Sequence, residues 1–120
     1  MRRKILGILL IILILMPIQG ICETIDWKKY NNGLRLADKQ NKKVFLHFRT
    51  DWCGYCKQME HYTFKDNEVV AFLNKHFISI KVDGDKEKSV TNLYGVRSYP
   101  DSRFLDEKEE EVHRLPGFVD

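Results

Sequence analysis

Apolar positions along this chain fall into runs of different period, and each run predicts a different element. The first is long and nearly unbroken, from Ile5 to Ile18, interrupted by Gly7 and with Pro17 near its end. Behind Asp26, a residue suited to cap a helix, Trp27, Tyr30, Leu34 and Ala37 recur at helical spacing, with Gly33 a weak point inside. The polar segment Lys39 to Lys43 ends that helix. Val44, Phe45, Leu46 and Phe48 then predict a strand from Lys43 to Thr50, apolar on both faces, as a central strand covered by helices must be.

Asp51, Trp52 and Gly54 mark where the chain leaves that strand, and from Cys53 the propensities favour a helix through about Tyr62. Thr63 to Asp66 breaks it, and Asp66 caps a second short helix that is expected to bury Val69, Val70, Phe72 and Leu73. Phe77 to Asp83 alternates as a strand closed by Gly84. Lys86 to Tyr94 predicts a modest helix, stopped by Gly95 in a left-handed conformation. A strand follows Pro100 through Leu105, Asp106 to Glu111 forms a charged turn, and Val112 to Leu115 returns as a hairpin strand before Pro116 and Gly117. The succession of strand, helix, strand, helix and antiparallel hairpin predicts an α/β fold, a central mixed sheet flanked by helices. Sheet logic asks for one more helix after the hairpin. None is legible before Asp120, so a C-terminal helix is expected to be absent, through truncation or because something else covers that face.

Length and charge narrow the picture. With 120 residues there is room for one domain. Arg2, Arg3 and Lys4 before the first apolar run, and Gln19 and Gly20 after it, have the order of a secretory signal, so residues 1–22 are expected to be a signal peptide, with an uncleaved anchor the alternative. The remainder, residues 23–120, is expected to be the folded domain. The leader's three basic residues are the whole of the net charge of +3, and without them 17 basic residues face 17 acidic ones. A neutral domain offers no basic field for nucleic acid. There is also no repeat, low-complexity tract or Gly-rich phosphate loop.

The chemistry lies in two thiols. Cys53 falls at a helix N-terminus, where unpaired amides and the helix dipole favour the thiolate. Cys56 sits one helical turn on, a spacing that suits a reversible disulfide with Cys53 exposed and attacking and Cys56 resolving. Outside the cytoplasm such a pair reads as redox chemistry. A structural disulfide or half a zinc site is the alternative, but His61, His76 and His113 have no ligand spacing among them, and no metal is expected. Met59 and Phe64 read as core, and His61 and His76 as solvated.

With Trp52-Cys53-Gly54-Tyr55-Cys56 after an apolar strand and Gly95-Val96-Arg97-Ser98-Tyr99-Pro100 before another, the chain resembles the thioredoxin superfamily. More narrowly, Asp51 to Phe64 resembles the C-terminal periplasmic domain of the transmembrane thiol:disulfide interchange proteins and related small secreted thioredoxin-like proteins. The resemblance implies a thioredoxin fold, with Cys53 as nucleophile, Cys56 as resolving thiol and Pro100 as a cis proline facing them. It implies that Trp52 flanks the nucleophile and that Tyr99 offers its backbone to an extended substrate. Tyr55, between the cysteines, would tune the potential or cover the site.

Three positions depart from that pattern. His47 stands where thioredoxins bury an acid, and Ser79 where a lysine neighbours it. His47 is therefore a candidate to take the proton Cys56 loses, or else a hydrogen-bonded core histidine. Asp101 follows Pro100 where threonine is usual, and a free carboxylate there would raise the thiol pKa. The resulting expectation is an exported, periplasmic thiol-disulfide oxidoreductase that reduces or isomerises protein disulfides. It would be monomeric, need no cofactor beyond the Cys53–Cys56 disulfide, and be recharged by a membrane or periplasmic electron donor. The alternatives are a non-catalytic thioredoxin-fold binding module, a disulfide oxidase and, less so, a metal-binding pair.

Overall fold

The computed structural model of the protein describes residues 22–120; the expected leader, up to residue 21, lies outside them. The elements in order are β1 (Trp27–Lys28), α1 (Tyr30–Gln40), β2 (Lys43–Arg49), α2 (Gly54–His61), a 3-10 turn (Thr63–Lys65) and α3 (Asn67–His76). They continue with β3 (Phe77–Asp83), α4 (Lys88–Leu93), β4 (Asp101–Leu105) and β5 (Glu111–Pro116). The five strands form one sheet in the order β1-β3-β2-β4-β5, with β2 at its centre. β2 runs parallel to β3, from Lys43 opposite Phe77 to Arg49 opposite Asp83. It runs antiparallel to β4, from Val44 opposite Leu105 to Phe48 opposite Asp101. The sheet is mixed and flanked by helices, as expected from the apolar pattern.

The two-residue period of β2 divides the core. Val44, Leu46 and Phe48 join Ile78, Ile80, Val82, Leu105 and Ala37 on the face covered by α1 and α4. Phe45 points the other way, into a cluster with Met59, Phe64, Val70 and Leu73 beneath α2 and α3. Gly33 lies where α1 crosses β3: a Cβ there would overlap the Ile80 side chain, so the helix can approach the sheet only with glycine at this position.

The N-terminal helix differs from the expectation. Trp27 and Lys28 pair with Ser79 and Ile80 as a short parallel strand, and α1 begins only at Tyr30, with no side-chain cap at Lys29. Helical spacing had joined residues that serve opposite faces of the sheet. Trp27 packs with Phe45 and Phe64 on one, while Tyr30, Leu34 and Ala37 pack on the other. Asp26, the expected cap, pairs with Lys28 at 2.9 Å instead. Asp66 does cap α3, its carboxylate accepting the Glu68 and Val69 amides. Phe72 on α3 is not buried as expected but 54% exposed. It borders an open apolar cavity of about 460 Å³ between α3, the 3-10 turn and the β4–β5 hairpin, floored by Phe45, Phe104 and Ser102. α4 is shorter than the pattern implied, and Gly95 beyond it has the expected positive φ of 63°.

Candidate functional site

The site forms where β2 runs out. The Gly84 amide donates to the Arg49 carbonyl at 2.8 Å, holding β2 and β3 together to their last residues. The chain then turns through Thr50, whose carbonyl accepts from the Cys53 amide, and enters α2 at Gly54. Cys53 is the N-cap of that helix: its Sγ accepts the Cys56 amide hydrogen at 3.1 Å. Cys53 and Cys56 are joined by a disulfide. A sulfur held against helix N-terminal amides is placed where negative charge is stabilised, so the thiolate is favoured when the bond is reduced. Cys53 is less open than expected, 5% exposed against 0% for Cys56. The link to Cys56 and the amide contact draw its sulfur in over the first turn, leaving a narrow approach.

Aromatic side chains surround that approach. Trp52, next to Cys53, donates its indole N–H to Asp85 Oδ2 at 2.9 Å and meets the Tyr99 ring edge-on, with centroids 5.9 Å apart. Gly84 makes room for this: a Cβ there would overlap the Tyr99 ring. The Tyr99–Pro100 peptide bond is cis, and Pro100 is fully buried. Because Phe48 lies opposite Asp101, the register of β2 and β4 sets Pro100 beside the turn that carries the cysteines. Tyr55 stands exposed on the first turn of α2, and its ring meets Phe118 at 5.8 Å. The structure thus groups Trp52, Cys53, Tyr55, Cys56, Tyr99 and Pro100 at one end of the sheet.

His47 lies deeper. Its ring is fully buried, 4.7 Å from Phe64, stacked near Phe45 and tilted against Trp27. Nδ1 is 3.1 Å from Ser102 Oγ, and Nε2 has no partner among the described residues. Burial, with the positive charges of Lys81 and Arg49 adding to it, lowers its pKa from 6.5 to about 3. The imidazole is therefore neutral at ordinary pH and a weak proton acceptor, an environment that favours the core-histidine reading over the catalytic one. The expected His47–Ser79 relationship is also absent. His47 is opposite Lys81, Ser79 is opposite Phe45, and the hydroxyl that meets the imidazole is that of Ser102, from β4.

Two charge clusters frame the pair. Arg49 donates to Glu60 Oε1 at 2.8 Å and to Asp51. Partial burial works against its charge, but these carboxylates outweigh it and raise its pKa, while Asp51 is held below the usual carboxylate range by its hydrogen bond to Arg49. Lys81 lies 3.9 Å from Glu60 and over the Trp27 ring at 4.8 Å, and burial lowers its pKa. Asp101 does not present the free carboxylate that the sequence suggested. Arg103 binds it through Nε at 2.7 Å and Nη2 at 3.2 Å, and Arg114 at 2.7 Å, so its charge is met inside the β4–β5 hairpin.

Sequence reasoning missed Asp85, Ser102 and Phe118. Phe118 had the clearest signal, an aromatic directly after the Pro116-Gly117 turn, but only the fold shows that it meets Tyr55. Among the described residues no cluster of metal-ligating side chains occurs, and no helix is long and apolar enough to cross a membrane.

Residues 17–99 match the family described as Thioredox_DsbH, protein of unknown function, DUF255. The thiol:disulfide interchange protein DsbD of Photorhabdus laumondii is 28% identical over 106 residues, a match covering 81% of this chain and 18% of that protein. The chain therefore spans under a fifth of that relative's length. A solved thioredoxin from Thermus thermophilus is 29% identical with a TM-score of 0.72, covering 78% of this chain and 76% of that one. A solved DsbH oxidoreductase is 23% identical with a TM-score of 0.70 over 87% of this chain and 84% of that one, a likeness of fold. The fold is the thioredoxin fold.

Proposed function

The chain belongs to the Thioredox_DsbH family of thioredoxin-like proteins, and from that premise we propose that it is a thiol-disulfide oxidoreductase working through Cys53 and Cys56. The observation that carries this reading is the disulfide at the N-cap of α2, its Cys53 sulfur held by the Cys56 amide. In the reduced protein, Cys53 thiolate attacks one sulfur of a client disulfide. The client S–S bond breaks, a mixed disulfide with Cys53 forms, and the departing client thiolate takes up a proton. Cys56 then loses its proton and attacks Cys53. The second client thiol leaves, and the Cys53–Cys56 disulfide remains. Two electrons pass to the client, and an external dithiol must return them.

The direction we assign is reduction or isomerisation of protein disulfides outside the cytoplasm. The basic and apolar leader supports export, and the likeness to an interchange protein supports thiol exchange with protein partners. Trp52, Tyr55, Tyr99 and Pro100 form the surface on which the client lies.

Replacing Cys56 with serine tests the mechanism. Incubated with a disulfide-bonded protein, the reduced variant accumulates a mixed disulfide through Cys53; a thioredoxin-fold binding module would form none. The equilibrium potential of the pair in glutathione or dithiothreitol buffers tests the direction. A value near about −270 mV supports a reductase, and one approaching about −120 mV means an oxidase and overturns the direction.

A further inference from the structure

Exposed aromatic rings are concentrated around the cysteines on two sides. On one stands Trp52, 68% exposed yet fixed by Asp85 and Tyr99. On the other stand Tyr55, 62% exposed, and Phe118, 39% exposed, in mutual contact. Phe118 is carried there by a short strap beyond β5. The Gly117 amide donates to the Pro100 carbonyl at 2.8 Å, and Thr63 Oγ1 donates to the Val119 carbonyl at 2.7 Å. The residues on both sides of Phe118 are therefore anchored, one to the start of β4 and the other to the turn after α2. These two hydrogen bonds hold the backbone on either side of Phe118 and set its ring against Tyr55. A fixed pair of apolar rings facing water is a mark of a recognition surface.

We propose that Phe118 determines specificity. With Tyr55 it forms an apolar seat for an aromatic or branched aliphatic side chain flanking the client's cysteine. The proposal rests on the oxidoreductase reading above. Cys53 is nearly covered, so a client cysteine enters closely and its neighbouring residues must lie over the ring walls. Two rings tilted 47° to each other offer an edge and a face to a third ring. A charged neighbour would lose water there with no partner in return. Client selection then follows the residue beside the cysteine, and small hydrophilic disulfides gain nothing from the seat.

The test uses the full chain and two peptide disulfides that differ only in one residue beside the cysteine, phenylalanine or serine. The wild-type protein is expected to favour the phenylalanine peptide about tenfold in kcat/KM, mainly through KM. In Phe118→Ala the ratio falls to near one, and Phe118→Tyr restores it. Phe72→Ala removes another exposed aromatic, on α3, and leaves the ratio unchanged. Equal rates for the two peptides in the wild type, a preference that survives Phe118→Ala, or its loss in Phe72→Ala would each overturn the assignment while leaving the oxidoreductase reading intact. A wild-type protein that reduces neither peptide nor glutathione disulfide ends that reading, and this inference with it.

Discussion

His47 Nδ1 and Ser102 Oγ lie 3.1 Å apart across the β2–β4 ladder, both out of reach of solvent. Burial in this aromatic pocket, with the positive charges of Lys81 and Arg49 adding to it, keeps the imidazole neutral and lowers its pKa to about 3. The unfolded chain takes up a proton at this residue below about 6.5, while the folded chain does so only near 3. Between those values the unfolded state binds more protons, so stability rises with pH and falls on acidification. The His47 contribution is a loss of about 1.4 kcal/mol per pH unit through that window. Urea unfolding at pH 7, 5.5 and 4.5 reads it directly. His47→Leu should flatten that part of the profile, and parallel wild-type and variant slopes would refute the assignment.

Asp101 is fully buried and held by two guanidiniums of unequal exposure, Arg103 at 4% and Arg114 at 45%. Asp101→Ala leaves buried Arg103 with Glu111, 2.7 Å from its Nη1, as its remaining carboxylate partner, and should cost about 3 kcal/mol of unfolding free energy. Arg114→Ala leaves the Arg103 pairing intact, and Arg114 can be replaced by water, so its cost should stay at about 1 kcal/mol. Denaturant midpoints of the two variants decide the matter; equal losses would mean that the cluster is not organised around Arg103.

Gly84→Ala puts a methyl group into the space of the Tyr99 ring. Tyr99 must shift, and the substitution should cost about 1–3 kcal/mol as overpacking does. Because Trp52 leans on Tyr99, the near-ultraviolet circular dichroism of the folded variant should change as well. An unaltered spectrum with full stability would show that the Tyr99 ring is not held at this position.

Asp85→Ala gives the opposite pattern. The Trp52–Asp85 hydrogen bond is exposed, so its loss should cost about 1 kcal/mol or less. The freed indole should nevertheless become more mobile, read as lower fluorescence anisotropy of the folded protein, with Trp27 as the packed internal reference. A large loss of stability with unchanged anisotropy would contradict this account.

Most of the architecture was legible because it depends on periodicity. β2 declared itself by Val44, Phe45, Leu46 and Phe48, and its end by Asp51 and Gly54; the same residues locate the cysteines. Asp66 and Gly95 punctuated their helices as their chemistry requires. What the sequence hid were relationships across strands. Trp27 shares a helical spacing with Tyr30 but packs on the opposite face of the sheet. Asp101 looked like a free carboxylate because Arg114 reaches it only through the strand pairing, while Arg103, two residues on, meets it along β4 itself. Ser102 met His47, and Phe118 met Tyr55, through contacts that span 55 and 63 positions of the chain and leave no local pattern.

The sheet's outer strands acquire a meaning from the chemistry at its end. A client joined to Cys53 by a mixed disulfide is tethered at an effective concentration on the order of millimolar, and an unfolded client carries strands in search of partners. β1, at one edge, is only two residues long. β5, at the other, sets Glu111, His113 and Arg114 in water and ends on Pro116, which has no N–H to offer. Such edges are poor templates for an added strand. A protein working as proposed would hold an aggregation-prone chain by a single sulfur bond and release it without taking it into its own sheet.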